Sequence, residues 1–314
     1  TLQLDAALLN QLGSFASLTI GRSDGTGTIS AGAFTLPTAT TLEGSNAAVA
    51  LTGIVSGNGQ SLTLANGGSS TLSAALNNLA SLNVGGSAAL NGGSVTTSGT
   101  QTYSGAVTLG ATTTLTGTDV EFASTLNGAR ALTVNASGTT RFGGVVGGST
   151  ALTVLTTNAA GSTVLGGNVS TSGAQTYNDA VTLAASSTVT GSAVRFNGTL
   201  DGSASGAQAL TVNAAGATVF GAAVGATQPL ASLSTNTGGT VSLRDVSTVG
   251  DITLGENATL NGTLNTGGGN FSAAGSTTLA GTLSTVEAGA GDVDFTGAVL
   301  GTAAATQSLA VNSS

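Results

Sequence analysis

Apolar and polar residues alternate along this chain in short bursts. In ALTVNA, Leu132 and Val134 flank Thr133, so an extended segment there has one apolar face turned inward and one polar face turned out. The bursts stop at Gly, Asn and Ser, residues that favour turns. A second beat runs through them, a bulky apolar residue with Val or Leu four positions on. It occurs at Tyr103/Val107, Phe122/Leu126, Phe142/Val146, Tyr177/Val181, Phe196/Leu200, Phe220/Val224, Leu279/Leu283 and Phe295/Val299. Many of the intervals between neighbouring beats are 19 to 24 residues. The pattern predicts coils of roughly 20 residues, each a triangle of short strands joined by small-residue turns.

A longer period lies over the coils. TLPTATTLEG begins at Thr35, TLGATTTLTG at Thr108, TLAASSTVTG at Thr182 and TLGENATLNG at Thr253, steps of 73, 74 and 71 residues. TSGTQTYSGAVTL (from Thr97) matches TSGAQTYNDAVTL (from Thr171) at an offset of 74, and VEFASTL (from Val120) matches VRFNGTL (from Val194) at the same offset. The offset grows to 78 at ALTVNASGTTRFGG against ALTVNAAGATVFGA, which places a four-residue insertion in GSASG, where a loop is expected to absorb it. VDFTGAVLGTAAATQSLAVN repeats the phrase a third time from Val293. Val120/Phe122, Val194/Phe196 and Val293/Phe295 are therefore expected to point inward at equivalent faces.

The fold predicted is all-β, a parallel β-helix or β-solenoid of about 15 coils with a short N-terminal helix, on the order of 70 Å long at about 4.8 Å per coil. Residues 1–25 form an N-terminal segment in which Asp5 caps a helix through Ala6, Leu8, Leu9 and Leu12, stopped by Gly13, and serves as a lid on the first coil. Residues 26–314 form the repetitive shaft. Leu72, Leu76, Leu79 and Leu82 have helical spacing, but alignment with the Phe142 region favours strands. At the other end the strand phrase of Ser308 to Asn312 stops in mid-pattern, so the last coil is expected to be uncapped and followed by more coils or by a neighbouring molecule.

Composition supports a thin core. The chain has 50 Gly in 314 residues, eight Phe, no Met and no Trp, and small or branched aliphatic side chains dominate what is left. A net charge of −8, with five Lys plus Arg and no His, offers no electrostatic footprint for nucleic acid or an anionic membrane surface. Zero Cys removes disulfides and thiolate metal sites and suits an exported bacterial protein. No apolar run reaches the roughly 18 residues of a membrane span, and no secretory signal stands at Thr1, so the segment reads as part of a longer precursor.

Candidate chemistry is sparse. A polysaccharide-acting enzyme on this fold needs converging carboxylates. The nearest groupings are Asp119 with Glu121, Asp292 with Asp294, and Asp245 with Asp251 and Glu256 if stacking joins them; each reads more simply as outward residues beside an inward one. With no His, Cys or Lys a nucleophile has no base, and the many Ser and Thr read as surface residues. Arg22, Arg130, Arg141, Arg195 and Arg244 are surface charges, and Asp24 in GRSDGTGT is a faint cation-loop signal. Asn135, Asn168, Asn197, Asn257, Asn261, Asn270 and Asn312 stand in glycosylation sequons, most of them explained by composition. No catalytic, cofactor or metal residue is assigned.

LTIGRSDGTGTI, the Ala-Leu-Thr-Val-Asn phrases with their Gly turns, and the Cys-free Gly/Ala/Ser/Thr texture resemble the repeat regions of filamentous-haemagglutinin-like exoproteins. That resemblance covers nearly the whole chain and implies a right-handed parallel β-helix in the shaft of a large adhesin exported by two-partner secretion. No Asn-Pro-Asn-Gly secretion motif is present. The function expected is a structural shaft at the bacterial cell surface or outside the cell, meeting a host or neighbouring-cell receptor or glycan. A self-assembling extracellular filament or sheath, associating end to end or side by side, is the alternative, and a polysaccharide-acting enzyme the less favoured one.

Overall fold

The structure, a computed structural model, describes residues 1–9, 11–302 and 306–314. It is a parallel β-solenoid of about 15 turns with almost no helix, as the alternation predicts. The chain divides into two compact units, Thr1–Thr153 and Val154–Ser314. Residues 303–305, inside the third copy of the long phrase, lie outside the described residues, as does Asn10 in the expected helix.

In the first unit each turn contributes one strand to each of three parallel columns. Leu62–Asn66, Leu82–Val84, Gln101–Tyr103, Val120–Phe122 and Thr139–Phe142 are successive strands of one column. Leu82 pairs with Gln101 and Gln101 with Val120, so one turn takes 19 residues there. Inward positions are closed almost completely: Leu64, Tyr103, Val120, Leu132 and Val134 are all at 0% exposure. The four-residue beat is a corner. Tyr103 ends one strand and Val107 begins the next, both pointing inward, and Gly105 stands between them where an added Cβ would meet the Gly86 carbonyl at 2.4 Å.

The leucines with helical spacing lie in strands, and all four are buried. Leu76 and Leu79 both face inward because Asn77 and Asn78 form a bulge between them, with Asn78 at φ 52° and the register shifting across it. The N-terminal helix is shorter than expected, Ala6–Leu9, continued only by single turns at Gln11 and Leu12. Asp5 Oδ1 caps it by accepting from the Ala7 amide at 2.8 Å. The helix stands between the strands Leu2–Leu4 and Ser17–Arg22 and packs against Phe34–Thr35, burying Leu9 while Leu8 stays exposed. It therefore covers one column of the first turn rather than the whole of it.

The second unit repeats the plan. Val154–Thr157, Ala174–Tyr177, Ala193–Phe196 and Ala217–Phe220 stack in one column, and Ser187–Gly191, Ala209–Ala214, Ser232–Thr235 and Ile252–Leu254 in another. The insertion in GSASG falls in the loop after Leu200–Gly202, as expected. Buried Gln208 closes that loop by accepting from the amides of Ser203 at 3.0 Å and Ala204 at 3.3 Å.

Two expectations need correction here. Val194/Phe196 and Val293/Phe295 are not on equivalent faces, for Ala193–Phe196 belongs to the first of these columns and Val293–Phe295 to the second. The long sequence period is not a whole number of three-strand turns, so each copy starts on a different column. Phe122 and Phe196 are buried, whereas Phe295 is half-buried and the beat partners Leu283 and Val299 are exposed, because the last turns have fewer neighbours. After Val299 the described residues form two further strands, Val299–Gly301 and Ser308–Ser313, each added in parallel to its column, with no helical cap among them. None of the described helices is long and apolar enough to cross a membrane.

Candidate functional site

Most of the acids and several sequon asparagines perform one structural task. At a corner the side chain accepts a backbone N–H from the following turn. Asp119 Oδ1 takes the Thr139 amide at 2.6 Å, Asp245 the Thr263 amide at 2.8 Å and Asp251 the Asn270 amide at 2.8 Å. Asn168, Asn257 and Asn270 do the same for Thr188, Ser276 and Asp292. Asn127 and Asp201 each accept two amides, of Ser149 and Thr150 and of Thr227 and Gln228. Corner backbone has no ladder partner, so a short side chain with a carbonyl or carboxylate oxygen satisfies it.

The nominated acid groupings do not converge. Asp245, Asp251 and Glu256 stand before Val246–Ser247, Ile252–Leu254 and Asn257–Leu260, three strands in three different columns, so stacking separates them. Asp292 and Asp294 are exposed, and Asp294 Oδ2 accepts only from the Thr296 hydroxyl at 3.3 Å. Asp119 and Glu121 do share a face of the first unit. With Thr100, Thr102, Thr139 and Arg141 they line a shallow groove of about 350 Å³, in which Glu121 faces Arg141 at 3.5 Å. Asp24 is taken by the Arg22 fork at 2.9 and 2.6 Å rather than left for a cation. Arg130 donates to the Gly110 carbonyl at 2.8 Å, while Arg195 and Arg244 are exposed. Among the described residues no three His, Cys, Asp or Glu side chains form a metal-binding group.

Sequence reasoning missed the polar interior. Thr113, Thr140, Thr157, Thr163, Thr218 and Thr277 are buried at 0–1% exposure, so many hydroxyls taken for surface groups are inside. The repeated TSG-x-QTY phrase is a buried relay. Thr97 Oγ1 donates to the Gly99 carbonyl at 2.7 Å, Gln101 Nε2 to the Thr116 carbonyl at 2.8 Å, and the Tyr103 hydroxyl to Gln101 Oε1 at 3.1 Å. Thr171, Gln175 and Tyr177 repeat it at 2.7, 2.7 and 2.8 Å. Burial drives both phenols well above their ordinary range, so they serve as neutral donors. The exact repetition of Gln and Tyr two residues apart was the available signal. Two acids are also inside, Asp179 and Glu256, each at 3% exposure with its carboxyl pushed upward by desolvation. Glu256 was read as outward; alternation puts it inward, two residues before buried Ala258.

Outward positions form ladders. In the second unit Thr188, Thr211, Ser234, Thr253 and Ser272 pair in register from turn to turn and end on Asp294. In the first, Thr19, Thr41, Thr63, Asn83 and Thr102 lead to Glu121 and Arg141. Each is a row of neutral hydrogen-bonding groups about 4.8 Å apart. No protein family, curated protein or solved structure matches the chain at a significant level.

Proposed function

We propose that the protein is a structural shaft of a bacterial adhesin, secreted or held at the cell surface, and that it meets a host or neighbouring-cell receptor or glycan through its outward ladders. The observation that carries this is the Thr188, Thr211, Ser234, Thr253, Ser272 row: an uncharged strip of hydroxyls held in register by the backbone. Such a strip offers many weak hydrogen bonds to an extended partner, and repetition converts them into avidity. The acids support the same reading, since corner capping occupies most of them and leaves no pair placed as acid and base. The likeness to filamentous-haemagglutinin-like repeats adds the two-partner export route.

The test is adhesion of beads coated with the protein to host cells and to a glycan array. Retention is expected, with clear loss in a Thr211→Lys/Thr253→Lys variant and little change in a Thr41→Lys/Thr63→Lys control. No retention on any surface overturns the reading. Electron microscopy of the same sample separates it from the filament alternative, which requires long polymers.

A further inference from the structure

The two inward carboxyl groups of the second unit differ in support. Asp179 is held by hydroxyls: Thr157 Oγ1 donates at 2.7 Å and Thr163 Oγ1 at 3.0 and 2.8 Å to its two oxygens. Glu256 is as deeply buried, yet neither of its oxygens has a hydrogen-bond partner, and the buried hydroxyls of Thr218 and Thr277 are also unpartnered. We propose that Glu256 is a proton-operated latch on the turns around it: protonated, it holds them closed, and on losing its proton it loosens them.

Glycines make room for the side chain at this corner. A Cβ on Gly239, which has φ +97°, would meet the Gly216 carbonyl at 1.9 Å, and a Cβ on Gly275 would meet the Glu256 backbone at 2.6 Å. Glu256 is thus the one side chain in a stack of Gly216, Gly239 and Gly275, and it turns into the core. The Thr235 and Thr218 hydroxyls temper its desolvation without completing a hydrogen bond. Nothing else nearby carries charge. The strands packed around it, Ala217–Phe220, Ser232–Thr235, Thr240–Leu243, Asn257–Leu260 and Thr277–Leu279, contain no ionisable side chain. Arg244, Asp245 and Asp251 are exposed beyond the ends of these strands.

A lone buried carboxylate is neutralised most cheaply by a proton, whose O–H can then be donated to a neighbouring threonine oxygen. Burial accordingly raises the carboxyl from 4.5 to about 7. With the folded value above the unfolded one, the closed turns hold the extra proton between those limits. Closure is therefore strongest at low pH, weakens as pH rises through the window, and levels off above about 7. One-proton linkage sets the ceiling at about a tenfold rise in opening per pH unit.

The experiment is amide hydrogen exchange on the full chain, corrected for intrinsic base catalysis, read at Val241 and Ala258 with Phe122 as internal control. Opening at the first two is expected to rise up to about tenfold per pH unit from mildly acid pH to neutrality and then level. Glu256→Gln should remove that dependence, and Phe122 should lack it throughout. A slope that persists in Glu256→Gln, or is absent from the wild type, overturns the latch. So does its abolition by calcium chloride, which would mean that a cation and not a proton neutralises the site. If Glu256→Gln does not fold, carboxyl carbon-13 titration of the wild type decides, an ordinary glutamate value for Glu256 counting against the proposal.

Discussion

The Tyr177 hydroxyl donates to Gln175 Oε1 at 2.8 Å, two residues back along the same strand, with both side chains sealed from solvent. The same Gln175 gives its amide to the Thr190 carbonyl at 2.7 Å. One glutamine thereby satisfies a phenol and a corner carbonyl inside an otherwise apolar core. Gln175→Leu should cost roughly 1–3 kcal/mol, since it leaves two buried groups unpaired. Tyr177→Phe on that background should cost less than it does alone. Denaturant unfolding of the four proteins of this cycle gives the coupling, and strict additivity would argue against the relay.

The aromatic stacks make a sharper test of the core. Tyr177, Phe196 and Phe220 stack with centroids 5.0 and 5.4 Å apart and planes within 8° and 11°, as Tyr103, Phe122 and Phe142 do at 5.2 and 5.5 Å. Turn spacing imposes that separation, and it lies in the favourable range for ring pairs. Phe196→Ala, taken from the middle of a stack, is expected to cost roughly 3–5 kcal/mol and to expose its neighbours locally, as protease nicking near residue 196 would report.

The pattern of alternation was enough for the strands, because Leu132 in, Thr133 out and Val134 in is a statement about one strand and needs no partner. It was enough for the insertion too, which falls in the loop that Gln208 closes. The column on which each phrase lands was not legible. It depends on the summed lengths of every intervening corner, and a bulge such as Asn77–Asn78 or a missing strand alters the count without altering the phrase. Nor were the inward acids. Asp179 and Glu256 look like any polar residue beside a turn, and only the glycines stacked beneath the corner make their direction visible.

Asn78 tests the bulge. Its φ of 52° is a left-handed conformation that asparagine tolerates and branched residues do not. Asn78→Gly should be neutral or slightly stabilising, and Asn78→Val should cost about 1–2 kcal/mol by thermal unfolding. Equal effects would mean that the backbone there is extended.

Corner capping is tested at Asp201, whose Oδ1 accepts the Thr227 amide at 2.9 Å and the Gln228 amide at 3.1 Å. Asp201→Ala should cost about 1–2 kcal/mol and speed exchange at those two amides, while Asp201→Asn, which keeps the acceptor, should restore most of the protection. Failure of asparagine to rescue would assign the effect to charge instead.

Asp179 and Glu256 occupy related corners, and the difference between them points to a designed exchange. Asp179 lies two residues before Val181, which pairs with Thr163; Glu256 lies two residues before Ala258, which pairs with Val241. Where the first corner offers a hydroxyl from the turn below, the second offers an isopropyl group. Val241→Thr should supply Glu256 with a donor, stabilise its charged form and bring its raised value down. Because that value lies above the unfolded one, lowering it removes a penalty felt only at the alkaline side. The variant should therefore gain stability at about pH 8, gain little at about pH 5, and narrow the difference in melting temperature between the two. Thr163→Val is the reverse change and should widen that difference through Asp179. Thermal melts of the wild type and both variants at the two pH values check this, and a shift that is the same at both would show that packing and not the carboxyl group responds.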